Sequence, residues 1–115
     1  QVLASEIDAC AIAAIGLSAA ANGVRVETFS GDIVGRDEGW DVALAGDVSY
    51  ERDMAKAVTD WLEGLHQRGA RVLIGDPGRA YLARDRLVRI AEYRVPTTRA
   101  LEDAEIKISG VWRFA

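Results

Sequence analysis

Four short apolar stretches of this chain each run into acids: Glu6 with Asp8, then Asp32, Asp47 and Asp76. A carboxylate there can accept hydrogen bonds from sugar hydroxyls, from amino groups or from the waters of a metal ion. Acids are also common in loops, where they cap helices and hold turns. Their recurrence at four corresponding places favours a ligand-binding rim, although the number does not name the ligand. The richest stretch is Trp40 to Tyr50. Val42, Ala43, Leu44 and Ala45 form an unbroken apolar run, closed by Gly46 and Asp47 and followed by Tyr50. A run so short, with a helical pattern after it, reads as a strand buried on both faces. Its end delivers Asp47 to the sheet rim, where open α/β sheets bind ligands.

Several chemistries are set aside by what the chain lacks. His66 is the single histidine, so neither a histidine-dependent triad nor a multi-histidine metal site is expected. Cys10 is the single cysteine, which leaves no disulfide framework or cysteine metal site and suits a cytoplasmic setting. The net charge of −4 comes without a Lys/Arg run, so no nucleic-acid partner is expected. No segment approaches the roughly 18 apolar residues of a membrane span. The alanine-rich segment from Ala9 to Ala21 has no basic residues in front of it and does not read as a signal peptide.

The elements that must position these acids follow from periodicity. Val2–Ser5 reads as a strand, and Asp8 as the cap of a helix over Ala9–Ala21 that stops at Asn22-Gly23. Val24–Phe29 alternates as a strand near a sheet edge. After the strand Trp40–Asp47, residues Glu51 to Arg68 form the strongest helix, with Met54, Val58, Trp61, Leu62 and Leu65 on one face and Gly69 as its stop. Arg71–Gly75 is another buried strand, closed by the turn Asp76-Pro77-Gly78-Arg79. A shorter helix is expected over Ala83–Ala91. Tyr93–Val95 and Ile106–Phe114 read as two last strands joined by the polar stretch Pro96–Asp103, and without a crossover helix they should be antiparallel. Trp40 and Trp61 read as core or sheet-covering residues, Cys10 as a small core residue, and His66 as a complement to its helix dipole. Tyr81 and Arg79 could shape a substrate surface or anchor the turn. The order β-α-β-β-α-β-α-β-β describes one α/β domain over residues 1–115, a doubly wound and mostly parallel sheet with a C-terminal antiparallel pair.

Two kinds of site use such a rim. A phospho-accepting receiver domain has a similar size and acids in similar places, but it needs a cation near the last parallel strand. Here that place reads Ile74-Gly75-Asp76-Pro77, and acids alone repel a phosphoryl group unless a divalent ion intervenes. The other kind binds a nucleoside. Ala4-Ser5-Glu6-Ile7-Asp8, Gly31-Asp32, Trp40-Asp41-Val42 with Gly46-Asp47-Val48-Ser49-Tyr50, and the run Arg71–Arg79 together resemble the class I, seven-strand S-adenosylmethionine-dependent methyltransferases. Within that family they are most similar to the branch that contains the electron transfer flavoprotein β-subunit lysine methyltransferases and their bacterial relatives. The closing Gly110–Phe114 resembles that branch's last strand.

The resemblance implies a Rossmann-like methyltransferase fold and a methyl donor, S-adenosylmethionine. Glu6, with Ile7 beside it, would hold the donor's ribose hydroxyls. Asp32 would sit by the adenine, with Gly31 letting the backbone approach. Asp47 would face the transferable methyl and the incoming amine, and Tyr50 would wall the lysine channel. No metal is implied. The partner implied is a protein presenting a lysine, with the electron transfer flavoprotein β-subunit as one candidate. A small-amine N-methyltransferase and a non-catalytic donor-fold module that binds protein remain open beside this reading. Nothing in the chain matches the family's first strand and glycine-rich loop, and the first residue is Gln1 within a strand-like run. The resemblance therefore implies an N-terminally truncated domain, its C-terminal two-thirds. The absent strand would lie between Val2–Ser5 and Trp40–Asp47, which must pair directly if the sheet is to close.

Overall fold

The structure, a computed structural model, describes residues 1–99 and 103–115. The chain forms two compact units, Gln1–Arg36 and Asp37–Ala115. The first holds strand β1 (Leu3–Glu6), helix α1 (Ala9–Ala21) and strand β2 (Glu27–Ser30), the two strands pairing in parallel from Leu3↔Glu27 to Glu6↔Ser30. Asp8 is the cap of α1, its carboxylate accepting from the Cys10 amide at 3.0 Å. Asn22 closes the helix, and Gly23 takes the left-handed φ of 65° that lets the chain turn away. Ile12, Ile15 and Ala19 share the inner face of α1, as their spacing requires, with Ala19 the buried residue of the helix. Cys10, expected in the core, is exposed in the first turn of the helix, away from that face.

The second unit carries β3 (Val42–Gly46), α2 (Arg52–Arg68), β4 (Arg71–Asp76), β5 (Leu87–Arg99) and β6 (Asp103–Phe114), in the sheet order β3-β4-β6-β5. β3 and β4 are parallel, while β4–β6 and β5–β6 are antiparallel. Glu51 caps α2 by accepting from the Asp53 and Met54 amides, and Gly69 ends it with φ 114°. Its inner face buries Ala55, Val58, Leu62 and Leu65, opposite buried Val72 and Ile74 of β4. Each of the larger side chains contributes about 1.5–3 kcal/mol by leaving water. His66, in the last turn of α2, stacks on buried Phe114 with ring centroids 5.5 Å apart. Trp40 meets Trp61 edge-to-face at 6.4 Å.

Three expectations about elements are corrected. No helix forms over Ala83–Ala91; a turn leads instead into β5 at Leu87. The register of β5 on β6 shifts between Arg89 and Ala91, leaving Ile90 as the extra residue of a bulge. That one insertion puts Leu87 and Ile90 three apart and imitates a helical period, while the long cross-strand ladder decides the conformation. β3 is not buried on both faces: Ala43 and Ala45 turn inward, but Leu44 is 75 % and Val42 53 % exposed. α2 is the one helix of this unit among the described residues, so one sheet face has a helical cover. β1 and β2 form the two-stranded sheet, and β3 belongs to the four-stranded one. The connection expected over Pro96–Asp103 shrinks, because strand structure continues to Arg99 and resumes at Asp103; residues 100–102 lie outside the described residues.

Candidate active site

In the N-terminal unit, Glu6 and Ser30 are register partners at the carboxyl ends of adjacent parallel strands, which puts Glu6 and the Gly31-Asp32 turn on one rim. The Glu6 Oε1 accepts from the amides of Ile7 at 3.0 Å and Asp8 at 3.3 Å. Those bonds fix the carboxylate and leave Oε2 without a hydrogen bond from any described residue. Gly31 donates its amide to the Glu6 carbonyl at 3.3 Å and has φ 127°, a conformation that excludes a side chain on conformational grounds. The Asp32 carboxylate accepts from the Val34 amide at 3.0 Å. Ile7, 72 % exposed, offers an apolar surface beside the Glu6 carboxylate. A fixed carboxylate with one open oxygen, a side-chain-free turn and an exposed aliphatic group are suited to a ribose and a purine.

In the C-terminal unit, Asp47 follows the last residue of β3 and lines an open crevice of about 770 Å³. Gly75 and Asp76 of β4, Arg79 of the turn and Ile106 to Ser109 of β6 form its other walls. Asp47 has φ 51°, the one non-glycine residue with positive φ among the described residues, and its amide donates to the Gly75 carbonyl at 2.9 Å. The left-handed conformation aims its carboxylate at the adjacent turn, where Arg79 donates from Nε to Oδ1 at 2.7 Å and from Nη2 to Oδ2 at 2.8 Å. These bonds, followed by the charges of Arg79 and Lys107, hold the Asp47 carboxyl below the usual carboxylate range. Tyr50 is 53 % exposed and is not among the residues lining the crevice, although it lies within electrostatic reach of Arg79.

Arg79 is itself anchored. The Oδ2 of Asp76 accepts from the amides of Gly78 at 2.7 Å and Arg79 at 2.8 Å, and the Arg79 carbonyl accepts from Arg84 Nη1 at 3.0 Å. Asp76 is 3 % exposed, and its Oδ1 is buried without a hydrogen-bond partner. So of the expected site residues, Glu6, Ile7, Gly31 and Asp32 gather on one rim in the N-terminal unit, and Asp47 lines a crevice in the C-terminal unit with Tyr50 three residues on. The Asp47–Arg79 pair was not anticipated. Its residues stand 32 positions apart, and the available signal was the opposite charges after two neighbouring parallel strands.

The chain is 32 % identical over 120 residues to an electron transfer flavoprotein beta subunit lysine methyltransferase from Xenopus laevis, an alignment that covers 98 % of the chain. The protein of the same name from Mus musculus is 33 % identical over 99 % of the chain, and that from Homo sapiens 31 % over 99 %. Among solved structures, an rRNA methylase from Streptococcus thermophilus matches the whole chain with a TM-score of 0.55 at 12 % identity, over 76 % of its own length. The chain is similar in sequence to these lysine methyltransferases and shares the fold of the rRNA methylase. Its mixed α/β architecture, with parallel pairs β1–β2 and β3–β4 and the C-terminal antiparallel pair β5–β6, matches the Rossmann-like fold of that methylase in truncated form. No protein-family model matches the chain. The chain spans about half the length of the curated relatives it matches: 49 % of the Xenopus protein, 48 % of the mouse protein and 46 % of the human one.

Proposed function

We propose that this chain serves in S-adenosylmethionine-dependent methylation of a protein lysine, with the electron transfer flavoprotein β-subunit as the substrate to test first. The observation that carries the reading is Asp47, held by its left-handed backbone on the wall of an open crevice at the end of a parallel strand, with an exposed tyrosine three residues on. The names of the relatives support the substrate class.

The N-terminal unit is assigned the nucleoside end of the donor: Glu6 Oε2 to the ribose hydroxyls, Asp32 to the adenine amino group, Ile7 to the apolar faces. When bound, S-adenosylmethionine supplies a sulfonium methyl group. The C-terminal unit is assigned the acceptor. Asp47 orients the amine through its carboxylate, and Tyr50 presents a ring face that favours the amine's cationic form on arrival.

The test has two arms. Calorimetric titration of S-adenosylhomocysteine into the chain should give binding that Glu6→Ala abolishes. Transfer of a labelled methyl group from S-adenosylmethionine to recombinant electron transfer flavoprotein β-subunit should occur and fall by about 100-fold in Asp47→Asn. Transfer to free small amines but not to protein would move the chain to small-molecule methylation. Donor binding with no transfer to any acceptor would leave a non-catalytic donor-fold module.

A further inference from the structure

The Asp47–Arg79 pair bears on the protonation of the incoming amine, on the reading that Asp47 receives it. A lysine reaches the site as an ammonium ion and attacks only after losing a proton. A bare carboxylate against that ammonium would hold the proton on and oppose the step. Arg79 answers this conflict. Its Nε and Nη2 take one lone pair from each Asp47 oxygen along a single edge of the carboxylate. Each oxygen keeps a second lone pair for another donor. The geometry points to Arg79 as a charge-compensating positioning residue: it fixes the Asp47 carboxylate and offsets its charge, so that the substrate amine is oriented without being locked in its protonated form.

The pair is built to persist. The Arg79 amide is tied to buried Asp76 and its carbonyl to Arg84, while the Asp47 amide is tied to Gly75 of β4. Both side chains are half-exposed, on backbone held by these hydrogen bonds. The charged and titratable groups that act on the pair are Lys107 of β6 on Asp47, and Asp76 and Tyr50 on Arg79. Lys107 adds to the compensation from the other wall of the crevice. The balanced sequence is simple. The substrate ammonium passes one proton to water; its nitrogen lone pair then forms the bond to the methyl carbon of S-adenosylmethionine as the carbon–sulfur bond breaks and its electrons stay on sulfur.

The experiment measures kcat against pH for methyl transfer from S-adenosylmethionine to recombinant electron transfer flavoprotein β-subunit, with wild type, Arg79→Gln and Arg79→Lys. Gln keeps a hydrogen-bond donor without the charge; Lys keeps the charge without the paired geometry. The Gln variant should move the acid limb of the profile up by about one pH unit and lower KM for the protein acceptor, because the ammonium meets an uncompensated carboxylate. The Lys variant should keep the limb near its wild-type position. A limb that stays put in Arg79→Gln overturns the proposal, as does an equal shift in both variants. A second measurement needs no turnover. Carbon-13 NMR of the Asp47 carboxyl in the chain should show it titrating below the usual range in wild type and closer to it in Arg79→Gln. An unchanged Asp47 titration also overturns the proposal. Wild type that transfers no methyl, with the NMR shift present, overturns the functional reading and this inference with it, and leaves Asp47–Arg79 as a structural ion pair.

Discussion

At Asp47 a single dihedral angle does much of the positioning. The φ of 51° turns the carboxylate toward Arg79, and aspartate and asparagine tolerate this region better than other side chains do. Asp47→Asn therefore keeps the backbone while removing the charge, and methyl transfer should fall by about 100-fold with the fold intact, read by labelled-methyl assay and circular dichroism. The buried Asp76 works at one remove. Its Oδ2 ties down the turn that carries Arg79, whereas its Oδ1 has no partner. Asp76→Ala should lower stability by about 1–3 kcal/mol in urea unfolding, since two turn amides lose their acceptor. The acids themselves were legible, because carboxylates after apolar runs stand out in any linear reading. What links them stayed hidden: a bond between positions 47 and 79 is a property of the strand register that sets Gly46 beside Gly75.

The helix α2 was readable almost to the residue because two independent signals agree, an apolar face at helical spacing and a left-handed Gly69 at its end. Leu62, on that face, is 2 % exposed. Leu62→Ala should cost about 2–5 kcal/mol, measured by urea unfolding of the full chain. Strand β5 was misread for the opposite reason, since its bulge at Ile90 placed a local helical spacing inside a long-range ladder. The segment before β5 is joined to α2 by Arg86, which donates to Asp60 at 2.8 Å and Glu63 at 3.0 Å. Hydrogen bonds from Lys56 and then Arg86 hold the Asp60 carboxyl below its ordinary value, and the Gly39 amide, followed by Arg68, does the same for Asp37. A carboxyl depressed in the folded state contributes stability above its unfolded value, near pH 4, and loses it as pH falls through the lower folded value. Urea midpoints should therefore decline on acidification below about pH 4. Asp60→Asn should flatten part of that decline; an identical slope would remove Asp60 from the account.

Across the molecule, buried apolar side chains are unevenly shared. Of the buried hydrophobic residues, Ala19 belongs to Gln1–Arg36, and Ala55, Val58, Leu62, Leu65, Ala70, Val72, Ile74, Leu82, Leu87 and Phe114 belong to Asp37–Ala115. Opening free energy follows burial. Hydrogen exchange should thus be faster by about tenfold or more for amides of β1, α1 and β2 than for those of α2 and β4; uniform protection would contradict this division. The class of fold was evident from element order, but not the split of the strands into sheets of two and four, since hydropathy records which side chains avoid water and says little about which backbones meet. That split has a practical side. The outer edge of β3 carries a row of peptide groups with no strand partner among the described residues, flanked by exposed Val42 and Leu44. Concentrated solutions of the chain should scatter light increasingly as copies zip together along such edges, and a lysine in place of Leu44 should keep them clear.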